Sequence, residues 1–99
     1  MIFRIFAAMN TTDPYANLKK ELDKNKSWPI LYMFKFIIPA DIQKLALVES
    51  KFSTEAVVTK RESTNGKFIS ITIREVMLSS DSIIDKYKEM EGIENLMSL

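Results

Sequence analysis

Asp81 and Asp85 stand four residues apart in Ser79-Ser80-Asp81-Ser82-Ile83-Ile84-Asp85. On a helix that spacing brings two carboxylates to one face, where they would offer oxygen ligands to a hard cation such as Mg²⁺. The same residues also read as a solvated first helical turn, acidic because the amide end of the helix dipole favours negative charge, with Ser79, Ser80 and Ser82 as caps. We adopt that second reading and expect no metal. A serine nucleophile needs a base beside it, yet the chain has no His and no Cys, and no Ser-x-x-Lys places a lysine one helical turn away. The same two absences exclude disulfides, thiolate and imidazole catalysis, zinc sites and haem ligation. Gly66 and Gly92 are the two glycines, too few for a Walker loop or a dinucleotide fingerprint, which need several for backbone to approach phosphate. The expectation is a non-enzyme with no catalytic residue and no cofactor.

Charge narrows the partners. Fourteen Lys and Arg against thirteen Asp and Glu leave a formal net charge of +1, so no global field draws the chain to nucleic acid or anionic lipid. Lys35 and Pro39 interrupt the longest apolar candidate well short of the ~20 residues that a membrane span needs. A soluble, cytoplasmic protein that does not enter membranes is expected. Residues 1–9 (MIFRIFAAM) resemble a signal peptide only superficially, because Arg4 lies within a run shorter than the usual ~15 to 30 residues. They read as an N-terminal extension outside the fold, with Met9 an alternative start.

The elements that would position any site follow from spacing. Residues 10–27 form a helix and connector. Asp13 before Pro14 suits an N-cap with proline at the first helical position, and Tyr15, Leu18 and Leu22 give a narrow apolar stripe. Residues 30–38 read as a central strand, apolar on both faces, with Tyr32, Phe34, Phe36 and Ile38 on one side and Leu31, Met33, Lys35 and Ile37 on the other. Asp41 caps a second helix whose stripe is Ile42, Leu45, Val48 and Phe52. Residues 55–63 and 67–77 form a hairpin about Asn65-Gly66, expected as a two-residue type I′ turn with both residues at positive φ. That register sets Ser63 opposite Phe68, Arg61 opposite Ser70, Thr59 opposite Thr72 and Val57 opposite Arg74, with Ile69, Ile71, Ile73 and Met77 toward the core. A third helix carries Ile83, Ile84, Tyr87 and Met90, and Gly92 would end it in the left-handed conformation. Residues 93–99 read as a short last strand.

The fold class is therefore α+β: a ferredoxin-like βαββαβ domain over residues 28–99, with a four-stranded antiparallel sheet and two helices on one face, plus an additional N-terminal helix. Three stretches carry a family likeness: WPILYMFKFIIPAD (28–41), ESTNGKFISITI (62–73) and LSSDSIIDKYKEMEGIENLMSL (78–99). As an ordered set they resemble the YbeD-like family of small bacterial proteins over roughly residues 10–99. The resemblance implies a ferredoxin-like fold close to ACT-type regulatory domains and brings no catalytic residue. Amino-acid-binding ACT domains carry a glycine where the first strand meets the first helix; here Pro39-Ala40-Asp41 stands there, which argues against that mode of ligand sensing.

The sheet face away from the helices would show Leu31, Met33, Lys35 and Ile37 beside Phe68, Ser70, Thr72 and Arg74, with Arg61 near the edge. An apolar patch rimmed by positive charge is a partner surface, for another protein or for a second copy in a homodimer. The competing reading is that the N-terminal helix covers this face through Tyr15, Leu18 and Leu22. An ACT-like site for a small ligand is the functional alternative. Phe68 followed by small alternating residues is similar to the RNA-recognition module, but Ser70 stands where a second aromatic is needed and Met33 or Leu31 where the first strand needs one, so nucleic acid is not expected. Lys60, Arg61 and Glu62 read as an edge strand armed against unwanted pairing.

Overall fold

The computed structural model describes residues 13–99; the expected extension 1–9 and residues 10–12 lie outside the described residues. The first element, α1, is Ala16–Leu22. It begins later than Asp13-Pro14 predicts: Asp13 accepts the Tyr15 N–H at 2.9 Å on its carboxylate and the Ala16 N–H at 3.3 Å on its carbonyl. Asp13 therefore closes a turn ahead of the helix, and the Tyr15 side chain makes no cap hydrogen bond to α1.

Strand β1, Ile30–Pro39, follows a cis Trp28–Pro29 bond. Its alternation is as expected, with Phe34, Phe36 and Ile38 fully buried on one side and Leu31 and Met33 exposed on the other. Helix α2, Ile42–Ser50, is capped by Asp41, whose carboxylate accepts the N–H groups of Gln43 at 2.8 Å and Lys44 at 3.3 Å. Val48 and Phe52 are buried and Leu45 packs against the core, but Ile42 is 82% exposed. At 3.6 residues per turn, Ile42 lies about 85° around the helix from the centre of the other three. It is too far round to share their stripe.

Strands β2, Val57–Glu62, and β3, Phe68–Met77, form the hairpin in the expected register. Its turn is different. Gly66 is at φ 71 and Asn65 is not at positive φ, while the Gly66 N–H bonds the Ser63 carbonyl at 2.9 Å. The turn thus runs from Ser63 to Gly66, and a single left-handed glycine brings the chain back. The Asn65 carboxamide oxygen accepts the Lys67 N–H at 3.0 Å, and the Ser63 hydroxyl accepts the Phe68 N–H at 3.0 Å. Register survives because Ser63 N–H still bonds the Phe68 carbonyl at 2.8 Å.

Helix α3, Ser80–Met90, starts in a capping box in which Ser79 and Ser82 each accept the other's backbone N–H. It ends at Glu91 in right-handed geometry; Gly92 is not left-handed, and Asn95 is, at φ 65. The last strand, β4, is only Met97–Ser98. Ile93 and Leu96 are instead drawn toward the core in turns that bond Ile93 N–H to Met90 and Leu96 N–H to Ile93.

Together these residues form an α+β fold, a four-stranded antiparallel sheet in the order β2-β3-β1-β4 with three helices among the described residues. The core lies between one sheet face and the helices. Ile71 and Ile73 are fully buried beside Phe34 and Phe36, and Ile83, Val48 and Met90 close over them. Helix α1 belongs to that same side. Leu22 is in the core, Tyr15 stacks on Tyr87 at 6.5 Å, Lys19 bonds Asp81 at 2.9 Å, and Ser80 donates to Asp23. The reading in which α1 covers the opposite sheet face is corrected: its stripe Tyr15, Leu18, Leu22 packs toward the core, beside α3.

Candidate protein-association surface

Pleating sends alternate residues to opposite faces, so the register defines what the uncovered face displays. Across it run the rows Val57–Arg74–Met33, Thr59–Thr72–Lys35 and Arg61–Ser70–Ile37–Met97. Leu31 pairs with Val76 at one end and Phe68 with Pro39 at the other. All eight residues expected on this surface therefore share one face: Leu31, Met33, Lys35, Arg61, Phe68, Ser70, Thr72 and Arg74. Leu31 is 67% exposed, Met33 48%, Phe68 46% and Val76 58%.

Three further members, Val57, Val76 and Met97, were not named as site residues. Val57 and Val76 continue the alternation already visible in their strands and only needed to be followed two residues further. Met97 joins the face by pairing with Ile37, a contact across 60 residues that no local spacing signals.

The electrostatics of the face are one-signed. Lys35, Arg61 and Arg74 project from it, and no strand position on this side carries Asp or Glu. None of the three cations is in an ion pair among the described residues. At the hairpin end a depression of about 320 Å³ is lined by Ile37, Arg61, Glu62, Ser63, Thr64, Phe68 and Ser70. Phe68 and Ile37 offer apolar surface and Arg61 a guanidinium, which suit an apolar side chain next to a carboxylate, while Glu62 adds one negative charge to the lining.

The remaining candidates sit elsewhere. Asp81 is engaged by Lys19 at 2.9 Å, a hydrogen bond that holds the Lys19 ammonium above the ordinary lysine range. Asp85 is exposed one turn on; among the described residues no group of three or more possible metal ligands converges. On the covered side a hollow of about 410 Å³ lies between Tyr15, Tyr87, Met90, Glu91, Ile93 and Leu96, with the Tyr15 hydroxyl bonded to Glu91. Behind it the Tyr32 and Tyr87 hydroxyls meet at 2.9 Å. Burial first, and then the Tyr32 hydrogen bond, push the Tyr87 phenol well above its ordinary value. No helix among the described residues is long and apolar enough to cross a membrane. Comparison with protein-family models, curated proteins and solved structures gave no match.

Proposed function

We propose that the protein is a non-enzymatic association module of the cytoplasm, ferredoxin-like and YbeD-like in kind, that works through its open sheet face. The βαββαβ element order and the strand order β2-β3-β1-β4 support the ferredoxin-like reading. One observation carries the functional one: every helix among the described residues lies on one side of the sheet, while large apolar side chains and three unpaired cations stand exposed on the other. Contiguous exposed apolar area costs solubility unless a partner covers it.

The partner's chemistry follows from charge. A face whose strand positions carry three cations and neither Asp nor Glu attracts a surface that brings apolar side chains with Asp or Glu. Arg61 beside Phe68 is the anchor point. The probe is a synthetic Leu/Glu-rich peptide against its Leu/Lys counterpart, titrated into the protein and into an Arg61→Glu, Phe68→Asp variant. The acidic peptide should bind the parent protein, weaken as salt rises, and lose at least tenfold in affinity on the variant. Equal binding of both peptides, or undiminished binding to a folded variant, overturns the reading. A steep salt dependence with single-stranded nucleic acid in place of the peptide would favour the nucleic-acid alternative.

A further inference from the structure

The two edges of the sheet are finished differently. At the hairpin, Ser63 and Phe68 form a hydrogen-bonded pair, so the even residues of β3 bond β2 and its odd residues bond β1. Those odd residues face the even residues of β1. The odd residues of β1 must then direct their N–H and C=O groups outward, as the bond from Leu99 N–H to the Lys35 carbonyl at 2.9 Å shows. But β4 pairs only with Phe36 and Ile37. Beyond Lys35, the outward N–H and C=O of Met33 and of Leu31 meet no strand and make no hydrogen bond outside the β1–β3 ladder among the described residues.

We propose that this open edge of β1 pairs antiparallel with the same edge of a second copy of the chain, about a two-fold axis at Tyr32. Four vacant groups, two donors and two acceptors, form a self-complementary set, and a two-fold partner satisfies all four without any second sequence. Other registers do less. Centring on Met33 would bring Leu31 to the Lys35 carbonyl that Leu99 already occupies, and centring on Leu31 would set Met33 opposite Pro29, which has no N–H; centring on Tyr32 sets only Lys35 opposite Pro29, and the paired stretch Ile30 to Phe34 ends before that position. Centring on Tyr32 pairs Leu31 with the second copy's Met33, bringing together two large exposed side chains on the open face.

Charge permits it as well. Ile30 to Phe34 contains no ionisable group but the Tyr32 phenol, whereas the opposite edge, β2, carries the charged run Lys60, Arg61 and Glu62, the kind of edge that discourages pairing. The product is one continuous sheet of two domains, with two cationic faces side by side. This inference is separable from the reading of the open face, because Arg61 and Phe68 lie at the other end of that face and their variant leaves the β1 edge intact.

The test reads mass and amide exchange on the whole chain. Native mass spectrometry and light scattering at tens of micromolar should give twice the 11.4 kDa chain mass. The Leu31 and Met33 amides should exchange at least tenfold more slowly in the dimer than on dilution. Met33→Pro deletes an outward N–H and no bond to β3, so it should fold, give a single chain mass and leave the Leu31 amide fast. A single mass for the parent protein overturns the proposal. So does a dimer in which the Leu31 and Met33 amides remain fast, a folded Met33→Pro variant that keeps the dimer mass, or slow amides explained by a different bound chain. Should Met33→Pro fail to fold, amide exchange in the parent protein decides.

Discussion

The two faces of the sheet use the same strands for opposite ends. β3 sends Ile71 and Ile73 into full burial and, between them, Thr72 toward the open side. β1 likewise buries Phe34 and Phe36 while Met33 and Lys35 stand outside. What differs is the other layer. One face meets two capped amphipathic helices and α1, and its apolar side chains are removed from water at about 25 cal/mol per Å². The other meets no helix among the described residues, so comparable side chains remain exposed. Apolarity of a strand face thus shows that it can be covered, and only the placement of the other elements shows whether it is.

Substitutions at neighbouring positions sharpen this contrast, and the largest effect belongs to the covered side. Ile71→Ala should cost about 2 to 5 kcal/mol in urea unfolding, enough to endanger a domain of this size. Thr72→Ala, one residue on, should change stability by about 0.5 kcal/mol or less. Equal costs at the two positions would mean that the open face is covered after all. The buried phenol provides a pH handle confined to one face. Folded Tyr87 ionises above its unfolded value of 10.0, so its contribution is intact below pH 10 and is lost as pH rises through the folded value. Thermal unfolding of the parent protein should therefore decline more steeply above pH 10 than that of Tyr87→Phe.

Smaller effects follow at the layer that makes the difference. Asp41→Ala frees two amides at the start of α2 and should cost about 1 kcal/mol by thermal melt. Ile42→Ser, next in sequence and 82% exposed, should lie within about 0.5 kcal/mol of the parent protein. A loss of several kcal/mol there would place Ile42 against something that covers it.

Much of this was legible. The order of elements, the hairpin register, the faces of β1 and β3, and the caps Asp41 and Ser79 all depend on neighbours within a few residues. The misses share a cause. Asn65 stays out of the left-handed region because Ser63 and Gly66 close a longer turn that keeps the same pairing. Asn95 takes the left-handed position expected of Gly92, because the chain continues into turns that bring Ile93 and Leu96 to the core rather than into a long strand. Ile42 has the right type but the wrong angle around its helix. On the surface itself, alternation revealed Leu31, Met33, Phe68 and Arg74, while Met97 required the pairing of β4 with β1.

By itself, the sequence determined which residues alternate and which recur with helical period, because side-chain direction is set by local backbone geometry. It determined too that no Cys or His chemistry is available. Tertiary structure alone decided that α1 packs with α3, leaving one sheet face without a helix among the described residues, and that β4 stops before it reaches Met33 and Leu31. Those outcomes turn on competition among apolar stripes for one core, and on hydrogen bonds between segments far apart in the chain, which no local pattern encodes.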